Sequence, residues 1–580
     1  DPVIADLAAT TLTAVLDRRS TWTRWNLLAE AARATRPIRC ATTTDRHALH
    51  DRVVAAALAQ CVSLETPEVF TVPTAFLTPD GVSVFTRPGQ HLYTHPAILD
   101  AEARLLAALD DLTAPSVALS DASSVGSDPS VDPSAASSVG SSSSVEPSVI
   151  SSAARGPAAR QPGDTVGLRL AADQADAVVA IATSGRRVDV LVGPAGTGKT
   201  TTLAALRTVW ETQFGHGSVV GLAPSATAAA ELSARLGIGC ENTAKWLHET
   251  TGPGGQERER HLDHLRDSEL ACRRTGDTTA ANRIARGIAE TMRTASAWTL
   301  EPGQLLIVDE ASLAGTLTLD DLTTQATAAG AKVLLVGDHH QLSAVDAGGA
   351  FGLLAATPQA RELTSLWRFT HRWEAHATRR LRQGDPSVLD VYDSQRRITA
   401  GTSAEVLDAA YEAWTHDQAA GATTLLLAAD TDTVSLLNNR AHQNRVAAGH
   451  VDPATEIPAA DGVRVGVGDV VLTRRNNRRL LTTGGQQVRN GDRWTITATH
   501  PDGAVTVLRD HTGRGAGSGE ELVRLPAGYV REHLELGYAN TIHRAQGVTV
   551  DHAHVLVTPG MSREAVYVAM TRGSDSNQLY

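Results

Sequence analysis

The sequence predicts an α/β protein in which two successive sets of parallel strands each carry an insertion. Three observations predict it. Short apolar runs at 188–192, 219–222, 305–308 and 333–336 alternate with helical segments, which is the pattern of parallel βαβ winding. A second set, with apolar runs at 424–428 and 553–557, follows the first. The run at 188–192 opens into a glycine-rich loop of G-x-x-x-x-G-K-[ST] form at 193–200, and a helical Leu203-Ala204-Ala205-Leu206 leads out of it.

At 580 residues the chain exceeds one core, and ordinary domain sizes divide it into roughly four units. Its 42% apolar and 20% charged residues are globular values. A net charge of −12 excludes a uniformly basic nucleic-acid binder but leaves room for a locally positive channel. Cys40, Cys61, Cys240 and Cys272 have no C-x-x-C spacing, which fits incidental thiols in a reducing compartment. No apolar run approaches the roughly 18 residues of a membrane span, and no signal pattern opens the chain. These features predict a cytoplasmic protein without a membrane partner. The chain opens with Asp1, as expected of a piece excised from something longer.

Residues 1–112 mix helical patterns at 22–30 and 98–109 with a strand-like 82–86, and are expected to form a small α/β or helical domain. Residues 113–163 are Ser, Val, Pro, Ala and Gly with near-repeats, too poor in apolar bulk to pack, and are expected to be a disordered linker. The first strand set occupies 164–355, interrupted at about 246–300 by a charged helical insertion. The second set occupies 356–580 and encloses a β-rich stretch at about 461–530, where Val470-Val471-Leu472, Trp494-Thr495-Ile496 and Val505-Thr506-Val507 are separated by Gly-Asp and Asp-Gly turns. That stretch reads as a small inserted barrel.

The loop Gly193, Pro194, Ala195, Gly196, Thr197, Gly198, Lys199, Thr200 and Thr201 is the expected ATP-binding segment. Its glycines let successive N–H groups curl around phosphate oxygens, Lys199 supplies a point charge, and Thr200 offers a hydroxyl to Mg²⁺. Such a loop does not name a reaction. Leu305-Leu306-Ile307-Val308 ends in Asp309 and Glu310: Asp309 suits Mg²⁺ held through water, and Glu310 suits the group that orients and deprotonates an attacking water. The alternative is a strand end capped by surface acids. The next strand ends in Gly337-Asp338-His339-His340-Gln341, where the Gln341 amide is placed to sense a γ-phosphate.

In order, the segments 193–200, 221–227, 308–312, 337–342, Leu366-Trp367-Arg368-Phe369, 538–547 and 566–572 resemble superfamily 1 DNA helicases of the RecD-like branch, over about 165–580. More narrowly, Thr571-Arg572-Gly573 with Asn577 and Tyr580 is similar to the helicase half of conjugative relaxase-helicases of the TraI/TrwC type (MobF family). The region around Trp22-Thr23-Arg24-Trp25-Asn26 is similar to actinobacterial members.

The resemblance implies two RecA-like domains with ATP between them, an SH3-like identity for the inserted barrel, and movement from 5′ to 3′. It implies that Arg368 and Arg572 meet the γ-phosphate, a role that suits charge developing in phosphoryl transfer. Gln174 is implied as the adenine reader. Pro224, Thr227, Thr243, Trp246, Thr541 and His543 are implied contacts to single-stranded DNA; Trp246 and Trp367 suit base stacking, although either tryptophan taken alone suits burial in the core better. The run Arg474-Arg475-Asn476-Asn477-Arg478-Arg479 reads equally as a phosphate track or a solvated turn.

The implied partners are single-stranded DNA, duplex junctions, and a fused or associated relaxase. Three readings stand at this point: a plasmid-transfer helicase, a stand-alone RecD-like repair motor, and an inactive DNA-binding module. The intact Lys199, Thr200, Asp309, Glu310, Gln341, Arg368 and Arg572 argue against the last. No tyrosine cluster of a DNA-nicking relaxase precedes the loop, and His552-Ala553-His554 lacks a third neighbouring ligand and reads as structural.

Overall fold

The computed structural model describes residues 1–64, 73–76, 91–118, 170–342, 348–510 and 521–580. The strand expected at 82–86 and the linker over 119–163 lie outside them. The first six residues of the expected linker depart from it: Val117 is buried in the core of the first strand set, with its N–H on the Ala182 carbonyl at 2.7 Å. The Ala114 N–H bonds the Gly185 carbonyl at 2.9 Å and the Ala118 N–H the Gln213 side chain at 3.0 Å, so backbone bonds as well as the valine tie down a segment whose composition reads as loose.

Six parallel strands form the first sheet, in spatial order Cys240–Asn242, Val219–Ala223, Leu305–Val308, Lys332–Gly337, Val188–Val192 and Arg361–Glu362. Both faces are covered, which is why the strands are near-continuous apolar runs. Leu191, Ile307, Leu334 and Val336 point to one core, and Val190, Val192, Leu306, Val308 and Leu335 to the other. We call this unit the first lobe. Its insertion is helical as the charge pattern predicts: Thr243–Thr250, then Pro253–Arg274 and Thr278–Ser296, which pack mainly on each other.

Four parallel strands form the sheet of the second lobe, in order Ala539–Thr541, Thr424–Ala428, Val550–Val555 and Gly573–Leu579. Between the first two in space, the chain detours through a five-stranded antiparallel sheet: Leu522–Leu525, Val505–Arg509, Arg493–Thr499, Val470–Thr473 and Leu534–Leu536. This sheet is not a separate bead. Trp494, Ile496, Val505 and Leu536 share one apolar cluster with Leu426, Ala428 and Ala539 of the parallel sheet.

Before the first lobe, helices Pro2–Leu16, Arg24–Ala34 and Thr43–Leu58 close around Leu12, Trp22, Leu27 and Val54. The helix Pro96–Asp110 ties this cluster to the first lobe. Its Ile98 faces the helices, its Leu105 and Leu109 enter the first-lobe core, and Arg104 makes a two-point bond to Asp320 at 3.0 and 2.6 Å. Of the two tryptophans in the 22–30 pattern, Trp22 is buried and Trp25 is exposed.

Candidate active site

The glycine-rich loop runs from the end of strand Val188–Val192 into the helix Lys199–Phe214. A Cβ on Gly193 would run into the Lys199 methylenes, so the lysine stem passes where only hydrogen fits. At Gly196, φ is +87° and a Cβ would stand 2.5 Å from Arg368 Cβ. The loop is therefore in contact with the segment entering the second lobe, and Trp367 N–H donates to the Gly196 carbonyl at 2.8 Å. Trp367 itself is exposed beside the loop.

Lys199 Nζ lies 3.7 Å from Glu310 Oε1. Glu310 holds a left-handed backbone at φ 50°, a strained conformation for a side chain with a Cβ, and its Oε2 is buried without a partner. Asp309 Oδ1 accepts from the Glu310 N–H at 2.9 Å. Burial and then the Glu310 charge push the Asp309 carboxyl up to about 6, against the pull of Lys199. An orphan carboxylate oxygen, a second carboxylate short of positive charge and the Thr200 hydroxyl make a hard-oxygen donor set that fits Mg²⁺. When bound, such an ion would neutralise phosphate charge, and Thr200 and Asp309 are the residues that would hold it.

Gln174 is buried, and its amide is committed within the protein. Nε2 donates to the Thr197 carbonyl at 2.9 Å, and Oε1 accepts from the Ala171 N–H at 3.1 Å. The expected adenine reader thus buttresses the loop in this structure, an arrangement that the spacing of one glutamine does not disclose.

Gln341 lies at the contact between the lobes, buried. Its Nε2 donates to Asp338 Oδ2 at 3.2 Å, and its Oε1 accepts from Gln546 Nε2 at 3.4 Å. Asp338 also accepts from Arg382 Nε at 3.1 Å and from the Tyr567 hydroxyl at 2.9 Å, both from the second lobe. Arg382 reaches on to Glu362 at 2.7 Å. Burial alone raises the Asp338 carboxyl, but Arg382, Lys199 and the His340 and Tyr567 bonds hold it below its ordinary value. The Ala195 N–H of the loop donates to the same Tyr567 oxygen at 3.5 Å.

Arg368 Nη1 donates to the Thr571 carbonyl at 2.5 Å. Burial lowers its guanidinium to about 10, with Tyr567 and Glu310 opposing and Arg235 assisting. Arg572 is wholly enclosed, and its donors go to its own lobe: Nε to Val568 O at 2.8 Å, Nη1 to Ala545 O and Val548 O at 3.3 Å, Nη2 to Thr571 Oγ1 at 2.7 Å. Burial, then the Arg368 charge, brings it down to about 9, while the Glu310 charge pulls the other way. Arg572 and Arg368 thus feel the same carboxylate as Lys199, but Arg572 has a structural task that its motif does not announce.

The expected strand contacts divide. Pro224 and Thr227 open the helix Ala226–Leu236, and Thr227 Oγ1 donates to the Asn490 carbonyl of the antiparallel unit at 3.0 Å. Thr243 and Thr541 are buried, and His543 is exposed. Trp246 takes the core alternative rather than that of a stacking platform: its ring is buried edge-on to Trp298 at 6.0 Å, and its N–H is taken by Gln325 at 3.1 Å. In the basic run, Arg474 pairs with Asp461 and Arg478 with Glu241 of the first lobe, at 2.9 and 3.1 Å. His552 and His554 both contact Asp417, at 2.6 and 3.1 Å.

Sequence reasoning missed Tyr567, Arg382 and Arg235. Tyr567 and Asp338 lie inside quoted motifs, but nothing in the chain marks Arg382 or Arg235.

Residues 169–403 match the family described as an AAA domain. The chain is 29% identical over 397 residues to the conjugal transfer protein TraA of Rhizobium radiobacter, covering 68% of this chain and 31% of that protein. It is 29% identical over 412 residues to the ATP-dependent RecD2 DNA helicase of Deinococcus radiodurans, covering 68% and 46%. It therefore spans about a third of the TraA relatives' length. The Pif1 helicase from Candida albicans aligns at a TM-score of 0.43 with 15% identity, over 71% of this chain and 94% of that one. Among the described residues no helix is long and apolar enough to cross a membrane. The phosphate loop and the paired carboxylates both lie inside the segment that matches the AAA domain, and over about two thirds of its length the chain is similar in sequence to a conjugal transfer protein and to an ATP-dependent DNA helicase.

Proposed function

We propose that the chain is an ATP-dependent DNA helicase that moves along single-stranded DNA from 5′ to 3′, and that it is the motor part of a conjugative relaxase-helicase of the MobF type. One observation carries the motor reading: Gln546, in the segment expected to touch the strand, bonds to Gln341, in the loop expected to sense the nucleotide. A change at one is transmitted to the other across the lobe contact.

In this reading Lys199 and the loop amides bind the triphosphate, Glu310 activates water, and Arg368 with Arg572 neutralises transition-state charge. Thr200 and Asp309 hold Mg²⁺. Pro224, Thr227, Thr243, Thr541 and His543 grip the DNA backbone without reading sequence. The similarity to TraA supports a role in plasmid transfer with a relaxase, while that to RecD2 supports a second reading as a stand-alone repair motor.

The test is strand displacement on 5′-tailed and 3′-tailed duplexes. Unwinding of the 5′-tailed substrate alone is expected; unwinding only from the 3′ tail contradicts the direction, and none from either contradicts the motor. A relaxase domain fused upstream in the full-length protein separates the conjugative reading from repair.

A further inference from the structure

Arg235 lies in the last turn of the helix Ala226–Leu236, with 59% of its side chain exposed. Packing does not require a guanidinium there. Its Nη1 nonetheless donates to Thr200 Oγ1 at 3.5 Å, and Glu231, one turn earlier, stands 3.7 Å from Nη2. The guanidinium therefore stands between the Thr200 hydroxyl and the Glu231 carboxylate.

We propose that Arg235 is a positioning residue of the nucleotide site, holding the Thr200 hydroxyl and screening the neighbouring carboxylates so that phosphates can enter before a divalent cation is in place. The inference rests on reading 193–201 as a triphosphate site. Asp309 and Glu310 set two adjoining carboxylates beside the loop, Lys199 is already drawn to Glu310 at 3.7 Å, and Glu231 adds a third carboxylate next to Arg235 itself. Arg572 donates to its own lobe, and Arg368 to Thr571. Arg235 is thus a first-lobe cation, in addition to Lys199, that can offset this repulsion. A bound Mg²⁺ would make it largely redundant.

The test is titration of a fluorescent ATP analogue into the full chain, with excess Mg²⁺ and with EDTA. Arg235→Ala should weaken binding roughly ten-fold in EDTA and much less with Mg²⁺, since a charge a few ångströms away in a partly hydrated site has about that effect. Arg235→Lys should restore most of the loss. Melting temperature should not move, because the side chain is exposed. An equal loss in both buffers, no loss in either, or a lysine variant that behaves like alanine overturns the proposal. Failure of the unsubstituted chain to bind the analogue in either buffer instead sinks the nucleotide-site reading itself.

Discussion

The Tyr567 hydroxyl donates to Asp338 Oδ2 at 2.9 Å, joining the helix Arg563–Ala569 of the second lobe to the end of strand Lys332–Gly337 in the first. The same hydroxyl accepts from the phosphate-loop amide of Ala195. One phenol therefore bridges the two lobes and the nucleotide loop.

Removing that hydroxyl should loosen the bridge while leaving the ring's packing in place. Tyr567→Phe is expected to lower stability by about 1–3 kcal/mol, the usual consequence of a buried partner left unsatisfied. Arg382→Ala, which strands the buried Asp338 charge, should cost about 3–5 kcal/mol. Denaturant unfolding measures both. A larger loss for Tyr567→Phe than for Arg382→Ala would mean that Asp338 is not the centre of the clasp.

Arg572 and Arg368 differ in a way that kinetics can read. Arg368 makes one backbone contact, so Arg368→Ala should lower kcat with little change in melting temperature. Arg572→Ala should lower both, because three carbonyls lose their donor. Arg572→Lys should not recover it, since an ammonium lacks the planar fork. Full activity in Arg572→Lys contradicts this account.

Glu374 gives a pH signature. It is fully buried, accepts from Asn577 Nδ2 at 2.8 Å, and burial raises it to about 7 against the Asn577 and Arg397 pulls. The folded state therefore holds the proton more tightly than the unfolded chain. Its contribution to stability is full below the unfolded carboxyl value near 4.5 and declines as pH rises toward 7, a linkage on the order of 3 kcal/mol. Melting temperatures between pH 5 and pH 8 should fall more steeply with pH in the wild type than in Glu374→Gln. Parallel curves would contradict the raised carboxyl.

How much of this was legible in the sequence depends on the range of the interaction. The phosphate loop and the strand ending in Asp309-Glu310 are local patterns, since a glycine spacing and an apolar run fix their own geometry. The apolar strands of the parallel sheets were legible for the same reason, whereas the short or polar strands Cys240–Asn242, Arg361–Glu362, Ala539–Thr541 and Gly573–Leu579 carry no such run and were not. Arg382, Arg235 and the second role of Arg572 were not, because each depends on at least one partner 20 to 44 positions away that only folding brings near. Trp246 turned on the same range of interaction. A tryptophan next to a strand-contact motif suits the core more readily than base stacking, and Trp298, brought in by the returning insertion, packs against it there.

The inserted β-rich stretch touches the first lobe through the ion pair of Arg478 with Glu241. Binding of single-stranded DNA should weaken with salt and ignore sequence. Arg478→Ala should reduce the slope of log affinity against log salt by about one if that arginine meets a phosphate. An unchanged slope would leave Arg478 as an interlobe ion pair only.

The central claim is that nucleotide hydrolysed at the loop between the lobes is the fuel for movement on DNA. ATP hydrolysis by the wild-type chain and by Lys199→Ala, each with and without single-stranded DNA, tests it most directly. DNA should stimulate the wild type, and the lysine variant should be inactive under both conditions. Undiminished turnover in Lys199→Ala would contradict the account.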